Sequence, residues 1–195
     1  MAQSALRSTD HLDTGEFLHY LDARPNERWE LHDGVPRAMV GSTFAHAVIA
    51  TNLVAALKPL ASRRGCQALT GYLIEATKDA AYEPDAMVVC DVPNRSDRKT
   101  DRPTIVFEVL SPSTMHFDRS EKARRYRAIP SLRQIVFVYQ DSVRVESWLR
   151  NEDGWSSEPT VLIRQGDSLA LPAIAGSLPV SAVYADVAVP SIPSD

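Results

Sequence analysis

The sequence has few cysteines and no long uninterrupted run of apolar residues, and each shortage excludes a class of protein. Two cysteines, Cys66 and Cys90, among 195 residues exclude a disulfide-rich secreted scaffold. Neither has a cysteine or histidine nearby at zinc-site spacing, so we predict two buried free thiols in a reducing compartment. No window approaches the roughly 18 apolar residues needed to span a bilayer, so no membrane association is expected.

The sequence also lacks a signal peptide and an excess of positive charge. Its first residues, MAQSALRSTDHLDTGEF, contain no continuous apolar core, so a cytoplasmic location is expected. The formal net charge of −4 argues against a protein that coats nucleic acid indiscriminately, although it leaves room for a local basic groove. A hydrophobic content of 44% is enough for a real core.

Between the ends of the chain there is no linker, repeat or low-complexity tract. We therefore predict a single domain over residues 11–188, with flexible tails at 1–10 and 189–195. An N-terminal helix capped by Thr14 is followed by a β-hairpin that turns at Asp33-Gly34. Helices are then expected at Phe44–Leu60 and Asp118–Ile129 and strands at Gln67–Glu75, Asp85–Cys90, Pro103–Leu110, Gln134–Tyr139, Val143–Arg150 and Thr160–Arg164, with a final short segment at Leu178–Tyr184. This order predicts an α/β fold with a central mixed sheet flanked by helices.

Two acids interrupt the strands of this predicted sheet. Alternation along Pro103–Leu110 places Glu108 on one face with Val106 and Leu110. Asp85 begins another apolar strand directly after Pro84. Two carboxylates held close resist ionisation unless a cation balances them, and a hard divalent ion such as Mg²⁺ prefers oxygen ligands.

The helix that follows Glu108 carries a lysine on its buried side. Lys122, Tyr126 and Ile129 are spaced on one stripe, so Lys122 is directed toward the sheet, while Arg124 and Arg127 point outward. Lys122 could neutralise the acids as a structural ion pair or position a water beside a metal-bound phosphate. The surrounding basic residues form a local positive patch, which could contact phosphates or be an ordinary solvated face.

Several motifs, in this order and spacing, resemble the bacterial restriction-endonuclease-like family of the PD-(D/E)XK nuclease superfamily. They are WELHDG, EPDAMVV, IVFEVLSPST, EKARRY and RQIVFVY. The most specific is EVLSPST followed by EK on a helix. The resemblance implies a restriction-endonuclease-like core, in which Asp85 and Glu108 are the metal-binding acids. Leu110 occupies the position of the usual lysine, which is a departure from the superfamily pattern, and Lys122 is similar to a relocated replacement.

The same resemblance implies roles for other residues. Glu30 in WELHDG is similar to the extra N-terminal acid of such sites, although it could also be a surface acid of the hairpin. His46 is an accessory candidate that could equally cap or pack its helix. Independently of the resemblance, the local positive charge of the basic helix predicts phosphate contacts from Arg119, Arg124, Arg125 and Arg127.

The function implied is an endonuclease that hydrolyses DNA phosphodiester bonds with Mg²⁺, for which Mn²⁺ could substitute. DNA is then the expected substrate. A homodimer would suit cleavage of both strands, although no interface can be identified in the sequence. Two alternatives stay open: an inactive module that binds nucleic acid or a partner, and a phosphoesterase acting on small nucleotides.

Overall fold

The computed structural model describes residues 11–111 and 118–190, the side chains of residues 118 and 119 excepted. Helix α1 spans Thr14–Asp22, and its cap is Asp13, not Thr14. The Asp13 carboxylate accepts from the Glu16 N–H at 2.8 Å, and the Glu16 carboxylate accepts from the Asp13 N–H at 2.9 Å. This reciprocal capping box satisfies two N–H groups at the start of the helix.

The predicted hairpin is confirmed as strands β1 (Trp29–His32) and β2 (Val35–Ala38), which pair antiparallel. Asp33 and Gly34 have φ angles of 48° and 76°. A two-residue turn with positive φ at both positions matches the right-handed twist of the strands that it joins.

Helix α2 spans Phe44–Ser62, with Thr43 as its N-cap. By length and composition alone it could cross a membrane, with a mean hydropathy of 1.4 in its most apolar window, contrary to the expectation that no window qualifies. One stripe of the helix, containing Ile49, Leu53 and Leu57, is buried in the core. Only 22% of the apolar window is buried in this way.

A smaller sheet surrounds the hairpin. Its further strands are β4 (Leu73–Thr77), β5 (Ala80–Tyr82) and β7 (Lys99–Thr100), in the order β2-β1-β5-β4-β7. The predicted strand Gln67–Glu75 is therefore wrong as a single element. The chain breaks at Gly71, where φ is 66°, and β3 (Gln67–Leu69) joins the other sheet.

The larger sheet contains the predicted central strands β6 (Ala86–Val89), β8 (Ile105–Leu110), β9 (Gln134–Tyr139) and β10 (Val145–Asn151). Its order is β11-β10-β9-β8-β6-β3, with β11 at Gly154–Trp155 and β12 (Thr160–Leu162) also paired to β10. Strands β8 and β9 are parallel, whereas β6 and β8 are antiparallel. The predicted mixed α/β fold is thus confirmed.

The two cysteines are not free. Cys66 and Cys90 form a disulfide, and Cys90 is exposed. The cause is the antiparallel pairing of β3 with β6, in which Gln67 lies opposite Val89. One further step in this register brings the two cysteines opposite each other. The prediction of two buried thiols treated each cysteine alone and was wrong.

Both faces of the larger sheet are covered. Ile105, Phe107 and Val109 pack with α2, a hairpin formed by β13 (Ser168–Leu171) and β14 (Gly176–Pro179), and the short helix α4 (Val180–Val183). Val106 and Leu110 pack on the opposite face with helix α3 (Ala123–Ala128). Glu108 has the same parity as these two residues, so the sheet presents its carboxylate to α3. The predicted flexible tails, residues 1–10 and most of 189–195, lie outside the described residues.

Candidate active site

Asp85 and Glu108 are brought to the same place by the register of β6 and β8. Ala86 lies opposite Phe107, so one further residue along places Asp85 opposite Glu108. The Asp85 carboxylate also accepts a hydrogen bond of 2.7 Å from the N–H of Val109. Opposed residues on antiparallel strands have their Cβ atoms only about 5 Å apart. The predicted proximity of the two acids therefore follows from strand pairing.

Lys122 lies between two glutamates. Its Nζ is 2.9 Å from Oε1 of Glu30 and 3.4 Å from Oε1 of Glu108. All three residues are buried, with exposed fractions of 6% for Lys122, 6% for Glu30 and 4% for Glu108. One buried ammonium group therefore contacts two buried carboxylates, and this arrangement compensates part of the cost of removing the charges from water.

A turn of π-helix at Asp118–Lys122 leads into α3 and sets the position of this lysine. One turn later, the Tyr126 hydroxyl donates to Oε1 of Glu108 at 2.7 Å. Lys122 and Tyr126 therefore hold the same carboxylate oxygen from one face of the helix. The π-turn fits a functional site, since such irregularities in helices often occur there.

Glu30 on β1 is held through both oxygens. Oε1 accepts from Lys122 and, at 3.0 Å, from the Glu83 N–H, while Oε2 is 3.0 Å from Nε2 of His32. Burial alone would raise the pKa of Glu30, but the Lys122 charge and the hydrogen bonds from His32 and Lys122 lower it to about 2. Glu30 is therefore ionised at neutral pH, and its main role in the site is to hold Lys122 in place.

These groups line one open cavity, which we name the carboxylate cavity, with a volume of about 420 Å³. Its lining includes Glu30, Asp85, Glu108, Lys122 and His46. His46 Nε2 lies 3.4 Å from Oδ2 of Asp85. All five non-arginine candidates from the sequence thus meet in one place, although they belong to five separate parts of the chain.

Three of the four predicted phosphate-binding arginines are located elsewhere. Arg124, Arg125 and Arg127 do not line the carboxylate cavity. Arg125 is 12% exposed in its side chain and pairs with Asp33, Asp79 and Glu121. Arg124 also pairs with Glu121.

Arg127 lies over the ring of Trp148, with its guanidinium carbon 4.4 Å from the ring centre. The side chain of Arg119 falls outside the described residues. Among the arginines whose side chains the structure describes, Arg28 and Arg37, near and on the N-terminal hairpin, line the cavity.

Three further residues of the site were not assigned to it from the sequence. His32 was interpreted as a turn or capping residue, yet it contacts Glu30; the i, i+2 spacing on β1 was a usable signal, because such residues share a face. The sequence predicted that Tyr126 lies on the buried stripe of its helix, but its hydrogen bond to Glu108 could be identified only from the tertiary structure. Gln140, whose Oε1 accepts from the Thr43 hydroxyl at 2.6 Å, gave no signal in the sequence.

The donor set fits a magnesium ion bound in part by solvent and substrate. Among the described residues no group of three or more histidine, cysteine, aspartate or glutamate side chains forms a metal centre. The candidate metal ligands are thus two carboxylates that line the cavity, those of Asp85 and Glu108. Magnesium is commonly held by one or two carboxylates together with water and substrate phosphate, so two suffice.

Comparison with known proteins gives consistent results. A curated relative, the uncharacterised protein slr1290 of Synechocystis sp., is 32% identical over 181 residues, which cover 91% of this chain and 93% of that protein. A second Synechocystis protein, sll1609, is 32% identical over 81 residues, covering 40% of this chain and 46% of its own.

Among solved structures, the crystal structure of a "putative nuclease belonging to DUF820" from Anabaena variabilis aligns with a TM-score of 0.72 and 15% identity. The alignment covers 89% of this chain and 97% of the other, so the restriction-endonuclease-like fold is shown. Residues 14–181 also match the model of the family described as "Uma2: Putative restriction endonuclease". Because this match spans most of the chain, the protein belongs to the Uma2 family.

Proposed function

We propose that this protein is a magnesium-dependent endonuclease that hydrolyses DNA phosphodiester bonds. The observation that carries the proposal is the contact of the Lys122 ammonium with Glu30 and Glu108 in the cavity that Asp85 also lines. Family membership supports the class of reaction, and the geometry supports the assignment of residues.

In this proposal Asp85 and Glu108 would hold the metal. A bound magnesium ion supplies a Lewis acid and lowers the pKa of a bound water. The hydrogen bonds from the Val109 N–H and the Tyr126 hydroxyl orient these two carboxylates before substrate arrives. Such preorganisation lets a site stabilise developing charge without rearranging during the reaction.

Lys122 would act directly on the substrate. Its ammonium group can donate to the attacking water or to a non-bridging phosphate oxygen, where negative charge increases in the transition state. Glu30 fixes the lysine in place and keeps it close to Glu108. His46, beside Asp85, is positioned to orient that carboxylate or to exchange a proton with solvent in the cavity.

A second candidate function is a non-catalytic module that retains the fold and binds nucleic acid or another partner. The observation that favours it is the pairing of Lys122 with two carboxylates, an arrangement that also serves as a purely structural ion pair. The two candidates differ in whether divalent metal and intact carboxylates produce cleavage.

The decisive experiment incubates the purified protein with plasmid, linear duplex and single-stranded DNA, with Mg²⁺, Mn²⁺ or EDTA. We expect metal-dependent cleavage that is abolished in Glu108→Gln and unchanged in Glu152→Gln, an exposed glutamate outside the cavity. Lys122→Ala should reduce turnover far more than metal affinity. Equal cleavage by wild type and Glu108→Gln would remove Glu108 from the reaction, and folded protein with no cleavage would support the binding module.

A further inference from the structure

The carboxylate cavity has an apolar rim that its metal chemistry does not require. Among the described residues the two most exposed large hydrophobic side chains are Val40, at 83%, and Phe44, at 80%. Val40 lines the cavity together with Met39, and both lie in the segment between β2 and α2. Exposed apolar side chains that gather at one place mark a binding surface more often than scattered ones do.

Phe44 does not itself line the cavity, but it lies on the adjoining surface of α2. On α2 the residues that line the cavity are Ala47 and Ala50 together with His46, and Thr43 lines it just before the helix. Phe44 precedes Ala47 by three residues, so the two are neighbours on the helix surface. The phenyl ring is therefore an exposed aromatic surface beside the entrance.

The size and depth of the cavity limit what can reach the carboxylates. Its volume of about 420 Å³ lies near the lower end of the range of about 300–1,000 Å³ typical of small-molecule sites. Glu30, Glu108 and Lys122 are almost fully buried, so a phosphate that reaches them has to enter the cavity. A single strand is narrower than a duplex, so its backbone can enter such a cavity with less obstruction.

The charges around the entrance suit a nucleic-acid backbone. Arg37 on β2 and Arg28 before β1 both line the cavity and are exposed, and Arg28 is paired with Glu83. Proteins that bind single strands combine such positive groups with aromatic side chains on which bases stack. Val40 and the two arginines at the cavity, together with Phe44 on the adjoining surface of α2, provide both elements in one region.

We propose that the carboxylate cavity receives one unpaired nucleotide, whose base, or that of its neighbour, stacks on Phe44 against Val40. The preferred substrate is therefore single-stranded DNA or an unpaired stretch within a duplex. This inference rests on the proposed nuclease function of the same site. It adds a substrate class and assigns Phe44 and Val40 to recognition.

Binding tests this inference separately from cleavage. Fluorescence anisotropy with wild-type protein in EDTA, which prevents metal-dependent cleavage, measures affinity for a short labelled single strand and for the matched duplex. We expect tighter binding of the single strand, a loss of roughly tenfold in Phe44→Ala, and near wild-type binding in Phe44→Trp. Val161→Ala, which shortens an exposed valine on β12 outside the cavity, should bind as wild type does.

The other outcomes overturn the inference. Equal or tighter binding of the duplex, unchanged affinity in Phe44→Ala, or no binding to either DNA would each do so. If sedimentation shows a wild-type dimer that becomes a monomer in Phe44→Ala while single-strand affinity stays unchanged, the rim is a contact between copies of the chain. Cleavage assays on the same oligonucleotides test the nuclease function independently of binding. If the protein cleaves duplex in preference to single strands, the nuclease function stands and only the proposed single-strand preference is wrong.

Discussion

A single lysine amine determines much of the electrostatics of the site. Glu30, Asp85 and Glu108 bring three carboxylates to the cavity, and the Lys122 ammonium contacts two of them. Glu83, Arg28 and Arg37 also line the cavity, so its wall carries four carboxylates against three fixed cations, an excess of one negative charge at neutral pH. A divalent cation would compensate that excess, and the protein retains enough positive charge in Lys122 to keep two acids folded close together without metal.

The lowered pKa of Glu30 predicts a specific dependence of stability on pH. A carboxyl whose folded pKa is about 2, compared with an ordinary value of 4.5, stabilises the folded state fully only above its unfolded pKa. This contribution, of the order of 3 kcal/mol, is lost as the pH falls from about 5 toward 2. Urea unfolding of wild type and Glu30→Gln between pH 7 and pH 3 measures it.

Glu30→Gln should be less stable than wild type at pH 7 by a similar amount, and the difference should shrink as the pH is lowered. The exposed Glu152→Gln variant serves as the control and should follow wild type at every pH. A difference between wild type and Glu30→Gln that stays constant with pH would show that the charge of Glu30 is not the source of its contribution.

Tyr126 offers a test of how Glu108 is positioned. Tyr126→Phe removes the hydroxyl that donates to Glu108 and leaves the buried ring in place. Because the acceptor is a charged, buried carboxylate, we expect a loss of about 2 kcal/mol in the free energy of unfolding. If the proposed reaction is correct, turnover should fall at unchanged substrate affinity.

Thermal unfolding and single-turnover cleavage provide the two measurements for Tyr126→Phe. A purely structural role would lower stability without changing the cleavage rate of the folded protein. Tyr139→Phe is a useful comparison, because the Tyr139 hydroxyl also donates to a buried glutamate, Glu146, which does not line the cavity.

At the scale of elements, a helix or strand was predictable from the sequence when it was long enough to show a clear pattern of apolar residues. Strand β8 and the face of each of its residues were predictable because five of its six residues are apolar and one is charged. Strands β5, β7 and β11 were missed because two or three residues carry no periodic signal. The boundary between β3 and β4 was missed because both are apolar, although they enter different sheets.

The β1–β2 turn gives a prediction at this scale, because it holds the strand that carries Glu30. A Cβ atom added to Gly34 would lie 2.7 Å from Nδ1 of His11. The backbone φ of Gly34, 76°, is also unfavourable for residues other than glycine. Gly34→Ala should therefore destabilise the protein by more than the roughly 1 kcal/mol that an unfavourable φ costs alone.

Gly65→Ala is the matched control for the turn. Gly65 also has a positive φ, 70°, but an added Cβ atom would meet nothing within 4 Å. Chemical denaturation of both variants separates the conformational cost from the steric one. Equal losses in the two variants would mean that His11 moves aside and that the turn tolerates a side chain.

At the scale of the molecule, the site exists because distant segments converge. Glu30 comes from the hairpin, Asp85 from the start of β6, Glu108 from β8 and Lys122 from the helix after it, while α2 closes the cavity with Thr43 and His46. Motif order made the acids and the lysine predictable. The cavity, its apolar rim and the cysteine pairing depend on which strands become neighbours, and this information is absent from local sequence patterns.

The metal itself is best tested on the whole molecule, since an ion that binds only the folded state raises its melting temperature. At a free Mg²⁺ concentration about ten times the dissociation constant, the gain is about 1.4 kcal/mol, equivalent to a rise of roughly 3 °C for a chain of this size. Asp85→Asn should abolish this rise. In EDTA, however, it should melt at or above the wild-type temperature, because its amide oxygen can still accept from the Val109 N–H while repulsion from Glu108 is removed. A magnesium-dependent rise that persists in Asp85→Asn would place the ion elsewhere on the protein, and a lower melting temperature in EDTA would show that the Asp85 charge stabilises the fold by itself.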